Sequence, residues 1–417
     1  NVTVINQGTI SADVSGGTIF TRGQSFLNAG VLGATNGGHL SVQNLTGNVG
    51  QVALVSGSTL SLNGDYTNNL GLNLTTNSVL NLSGNWVNPG GLNATNATVN
   101  LGGSFTLAGL GVLHRSGGTV NLTGTLNANG GTLAFDAVTG SWVMSGGTFR
   151  NGALSQPGVD RLVFGSGTLD GVTVNGDLDV GRQNNGAGVA VLNGLTLNGN
   201  LYVGNPTNSW YGQVAFVGTQ TLGGTGTVFF GNQGACNALR VDTGGTTLTI
   251  GPGLVLRGHS GQIGQSTSCI GSAANVTVIN QGSIAADVSG GTVNIRAQSF
   301  TNQGSVAALQ GTINLYGASS LAGGTLSLGI TGLADYGRIN FLNPVTMQGT
   351  LKAQFTGFYR PTTGSAFTLL TYPSRTGTFD ALDLPADVLW QTTNGATAFA
   401  MTATALLELP SIAVGPQ

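Results

Sequence analysis

A leucine that returns about every twenty residues decides most of what this chain can fold into. The segments STLSLNGDY, SVLNLSGNW, ATVNLGGSF and GTVNLTGTL follow one another between residues 58 and 126, and place Leu62, Leu82, Leu101 and Leu122 at intervals of 20, 19 and 21. The closing residues Tyr66, Trp86, Phe105 and Leu126 keep the same spacing. Within each segment apolar and polar residues alternate up to a Gly, which is the period of a strand and not the three-to-four spacing of a helix. A unit this short cannot bury its apolar face alone, so neighbouring units must stack on it. Stacking in register sets Leu over Leu and pairs each backbone with the windings above and below at ~4.8 Å. The spacing therefore predicts an all-β fold, a parallel β-solenoid.

Composition supports order and argues against helix. Gly fills 72 positions and charged residues only 6%, with Lys352 and Glu408 the sole Lys and Glu, so the usual helix-favouring surface residues are missing. A disordered chain would be poor in apolar residues, whereas 40% are hydrophobic here and alternate with polar ones. The formal charge of −2 provides no basic footprint for nucleic acid. No run near 18 apolar residues offers a membrane span. No positively charged, apolar leader stands at Asn1, and the chain reads as processed or trimmed.

Longer repeats extend the pattern. LDGVTVNGDLDVG at 169–181 matches LNGLTLNGNLYVG at 192–204, and NVTVINQGTISADVSGGTIFTRGQSF at residue 1 returns at residue 275 with 20 of 26 positions identical. Residues 1–325 are expected to form the solenoid, on the order of 15 windings and roughly 70 Å long. Six of the ten prolines lie beyond residue 330. Residues 326–417 are therefore expected to form an all-β C-terminal cap that blocks the open strand edges, with LPSIAVGPQ as an extended tail.

The runs VINQGTISADVSGGTI, LTIGPGLVLRGHSGQIG and TLGGTGTV resemble the repeats of large secreted bacterial β-helix proteins: adhesins, autotransporter passengers and filamentous-haemagglutinin-like chains. The pattern YGRINF…GTLKAQFTGFYRPTTGSAFTLLTY…GTFDAL is similar to the module that often ends them. The resemblance implies an exported surface or fibre protein and carries over no catalytic residue.

Few residues offer chemistry. Cys236 and Cys269 are the only cysteines, both in loop-like stretches, and an even count in a chain of extracellular character points to one disulfide over a metal site. Asp177 and Asp179 in GDLDVG would share a strand face as an acid and base pair or a cation site, but two solvated carboxylates on a strand exterior are the simpler account. Asp13 with Arg22, and Asp287 with Arg296, recur nine residues apart and read as ion pairs or turn caps. His39, His114 and His259 are scattered, with no GxSxG elbow and no phosphate-binding GxxxxGK[ST]. Trp210 and Tyr211 in NPTNSWYGQ interrupt the repeat and are the candidates for stacking on a sugar ring, against a plug over a corner.

The expected function is a non-catalytic extracellular scaffold at the bacterial surface, self-associating head to tail through its solenoid ends, with no cofactor, no catalytic residue and no metal site. The alternative is a carbohydrate-binding or polysaccharide-cleaving β-helix with surface polysaccharide as partner.

Overall fold

The computed structural model describes residues 2–407; Glu408 and the expected tail LPSIAVGPQ lie outside the described residues. The protein is all-β, a parallel β-solenoid of about sixteen turns with an antiparallel strand pair near its C-terminus. Two compact units divide it, Asn1–Gly199 and Asn200–Gln417.

In the first unit the leucine period becomes a column. Leu62 lies opposite Leu82, Leu82 opposite Leu101 and Leu101 opposite Leu122, and all four are buried. Tyr66 pairs with Trp86 in the neighbouring column, and Phe105 with Leu126. The Gly after each leucine is required by close approach: a Cβ on Gly84 would stand 2.0 Å from the Gly64 carbonyl oxygen, at a φ of +81°. Where the corner has room for a side chain, Asn takes the left-handed conformation, as at Asn77 and Asn96.

Corner amides also close hydrogen bonds that stacked windings would otherwise leave open. Asn68 Nδ2 donates to Asn88 Oδ1 at 2.5 Å, and Asn88 Nδ2 donates to the Leu110 carbonyl at 2.9 Å, all within the buried interior. The sole helix among the described residues is one turn, Leu107–Leu110. Thr106 Oγ1 accepts from Gly109 N at 2.9 Å to start it, and Gly111 at a φ of 66° ends it.

The second unit repeats the design. Asn280 Nδ2 donates to Asn302 Oδ1 at 2.8 Å in another buried corner ladder. The composition change near residue 326 does not coincide with a change of architecture. Thr325–Ile330 pairs in parallel with Thr350–Phe355, which pairs in parallel with Ala381–Asp383. The antiparallel part is narrower than residues 326–417: Val388–Asn394 pairs with Ala398–Leu406, which in turn runs against Ala366–Thr371. Prolines alone do not stop winding, because Pro344, Pro361 and Pro373 lie in corners, where no ladder amide is needed.

Candidate functional site

The lateral faces are built from outward side chains in register. In the first unit Ser61, Asn81, Asn100 and Asn121 form one column. Asn81 Nδ2 donates to Ser61 Oγ at 2.9 Å, Asn100 Nδ2 to Asn81 Oδ1 at 2.6 Å, and Asn121 Nδ2 to Asn100 Oδ1 at 2.7 Å. The second unit has its own run, in which Asn314 donates to Asn294, Asn340 to Asn314, and Thr371 Oγ1 to Asn340 Oδ1 at 2.7 Å. Asn81, Asn100, Asn314 and Asn340 each donate to one neighbouring winding and accept from the other, so these half-buried faces bond along themselves.

A second kind of column is aromatic and cationic. Tyr202 and Phe229 stack with ring centroids 5.7 Å apart, Arg257 lies over the Phe229 ring at 5.9 Å, and Arg257 pairs with Asp287. Stacking along the column turns the Tyr202 and Phe229 ring faces toward each other and sets the Arg257 guanidinium against the Phe229 ring.

Asp177 and Asp179 do not form the exposed pair expected of them. Asp179 is fully buried, not solvated: its Oδ1 accepts the backbone N–H groups of Arg182 at 2.9 Å and Gln183 at 3.1 Å, and its Oδ2 has no hydrogen-bond partner. The reason is the turn that follows Leu178–Val180, which folds back over the carboxylate. A side chain closed off in this way cannot reach a substrate.

The Asp–Arg ion pairs expected from the nine-residue spacing are also absent. Arg22 lies over the Phe20 ring at 5.4 Å and Arg296 over the Tyr316 ring at 3.8 Å. Asp287 pairs with Arg257 from the winding above and accepts Gly258 N at 3.1 Å. A strand face offers neighbours across the ladder more readily than along the chain, so the pairing is between windings.

His39 shares a hydrogen bond with Ser61 Oγ at 2.9 Å and His259 with Ser260 Oγ at 2.8 Å. His114 lines a shallow groove of about 340 Å³ with Asn93, Thr95, Ser116, Ala137 and Val138. The rim of that groove is held by Asp136, whose carboxylate accepts Thr139 N and Val138 N; these bonds keep its pKa below the usual value.

Cys236 and Cys269 are joined in a disulfide, with Cα atoms 5.5 Å apart. It ties the loop around Ile270 to a winding whose buried Gln213 donates to the Cys236 carbonyl at 3.1 Å. Trp210 is exposed at the end of a loop held by Asn205 N donating to the Trp210 carbonyl and Trp210 N donating to Asn208 Oδ1; the adjacent Tyr211 is half-buried.

One further surface carries no sequence motif. Lys352 and Asp383 form an exposed ion pair at 2.9 Å beside a groove of about 350 Å³ lined by Gln354, Phe355, Pro385 and Ala386. Register across the ladder brings Lys352 to Asp383, a separation in sequence that no motif marks.

Fold and surface together define a β-solenoid repeat protein whose lateral faces are side-chain ladders. No protein-family model matches the sequence, and no match is found among curated proteins.

Proposed function

We propose that the chain is a non-catalytic structural scaffold of the bacterial surface or fibre type, exported to an oxidising environment. The observation that carries this reading is the outward amide ladder Ser61–Asn81–Asn100–Asn121, in which surface hydrogen-bonding capacity is spent holding windings together. The disulfide between Cys236 and Cys269 supports an extracellular setting, because such bonds persist outside the reducing cytosol. Two experiments test the reading. Surface labelling of intact cells should reach the protein in its oxidised form; a reduced, cytosolic pool would overturn the localisation. Incubation with a polysaccharide panel should release no reducing ends; turnover would overturn the non-catalytic part.

The exposed Trp210 favours a second reading, in which the same scaffold carries a carbohydrate-binding loop. Retention on a polysaccharide column that is lost in Trp210→Ala would establish it. Retention unchanged by that substitution would return the indole to a structural role.

A further inference from the structure

Outward amides in the ladders bond to the next winding, but Gln354 stands apart from them. Its side-chain amide forms no hydrogen bond among the described residues. Register supplies the reason. Gln354 lies across from Gly329, where a Cβ would meet the Leu309 carbonyl oxygen at 2.2 Å, so that winding presents no side chain to bond. On the other side, the register of Lys352 with Asp383 continues two residues on to Pro385, which has no polar side chain either. An amide with both functions free thus lines the groove of about 350 Å³ beside Lys352, Phe355, Asp383 and Pro385.

One indole fixes both apolar walls of that groove. Trp390 packs against Phe355 with ring centroids 6.1 Å apart, and its Nε1 donates to the Pro385 carbonyl at 3.1 Å. The fully buried Phe367 lies 6.2 Å from the same indole and anchors the wall to the core. A ligand therefore meets a site that is already ordered, which lowers the entropy cost of binding.

Charge narrows the class of ligand. Lys352 and Asp383 cancel, and so does the neighbouring pair of Arg360 with Asp387 at 3.2 Å. These two pairs leave no net charge to attract an acidic or a basic partner. What they offer is an ammonium donor and a carboxylate acceptor 2.9 Å apart, next to the free amide and the Phe355 ring. Neighbouring hydroxyls of a sugar both donate and accept, and the C–H face of its ring is apolar enough to rest on an aromatic side chain. Exposed ion pairs contribute little to stability, so Lys352 and Asp383 can turn to such hydroxyls at small cost.

We propose that this groove binds a neutral saccharide, its ring lying against Phe355 and Pro385 and its hydroxyls taken by Gln354, Lys352 and Asp383. A groove of this size holds a short saccharide and not a folded partner. The proposal shares its ligand class with the reading based on Trp210 and rests on that reading for nothing else, since none of the residues is common to both.

The test probes the full chain with short fragments of neutral glucan, mannan and galactan, alongside uronate-containing and sulfated oligosaccharides, by titration calorimetry. At least one neutral fragment should bind. Gln354→Ala and Asp383→Ala should each weaken it by about tenfold while leaving the denaturation midpoint unchanged, because both side chains are solvent-facing. Trp210→Ala should leave the affinity as it was. The bound fragment should also slow amide exchange over 352–355 and 383–386, and not over 205–211. Affinity lost in Trp210→Ala but kept in Gln354→Ala and Asp383→Ala overturns this site and keeps the other reading. Binding confined to the acidic oligosaccharides, or to none of the panel, overturns the proposal.

Discussion

Trp86 and Phe105 stack across adjacent windings with ring centroids 4.2 Å apart and planes 20° from parallel, while Trp86 Nε1 donates to the Gly102 carbonyl at 2.9 Å. One indole thus links two windings by area, by ring geometry and by a hydrogen bond. Replacing it with alanine opens a cavity and frees a buried carbonyl. Trp86→Ala is expected to destabilise by about 3–5 kcal/mol, read as a lower denaturation midpoint. A shift within error of the wild type would show that the column is not held by its aromatic members.

The corner ladder makes a sharper prediction, because its cost comes from polar groups left behind. Asn88→Ala strands both the Asn68 amide and the Leu110 carbonyl in the interior. Each such group costs about 1–3 kcal/mol, so this exposed-looking polar substitution should rival a core truncation. Amide exchange at Gly109 and Gly111, beside the freed carbonyl, should rise with it.

Burial pushes the Tyr66 phenol well above its ordinary value of 10.0, a backbone hydrogen bond from Ser83 opposing it only in part. The folded state therefore keeps the phenol neutral at a pH where the unfolded chain ionises. Its contribution is fully present below pH 10 and declines as pH rises above it, by about 1.4 kcal/mol per pH unit. As a donor its hydroxyl makes a long bond of 3.4 Å to the Leu62 carbonyl. Tyr66→Phe should thus leave stability at pH 7 nearly unchanged and flatten the alkaline decline, as measured by urea midpoints between pH 9 and 11.

The disulfide closes a loop of 33 residues. Chain-entropy arguments for such a loop give about 3–4 kcal/mol. Cys269→Ser with Cys236→Ser should lower stability by that order while leaving the strand content by circular dichroism unchanged. A double variant as stable as the parent would show that the loop is held unaided by the buried Gln213 and by Gln262, which donates to the Ala235 carbonyl and accepts Thr267 N at 3.1 Å.

Much of the architecture is legible in the residues themselves. Alternation at period two, a Gly or Asn at each corner and leucines twenty apart leave stacking in register as the one way to bury Leu62, Leu82 and Leu101 together. The sites were less legible. Asp177 and Asp179 share a motif, yet the turn after Val180 buries one of them, and turns of that kind have no periodicity to betray them. Lys352 and Asp383 meet because of the ladder register, which local sequence does not announce.

The clearest division lies within the repeated block. By itself the sequence determined strand, corner and order of stacking in both copies, since these follow from local alternation and backbone freedom. Only the tertiary structure decided that Asp287 takes Arg257 from the winding above it while Arg296 turns to Tyr316, and that Asp179 is buried. Burial and pairing in a solenoid belong to the winding next door, and a residue cannot encode its neighbour.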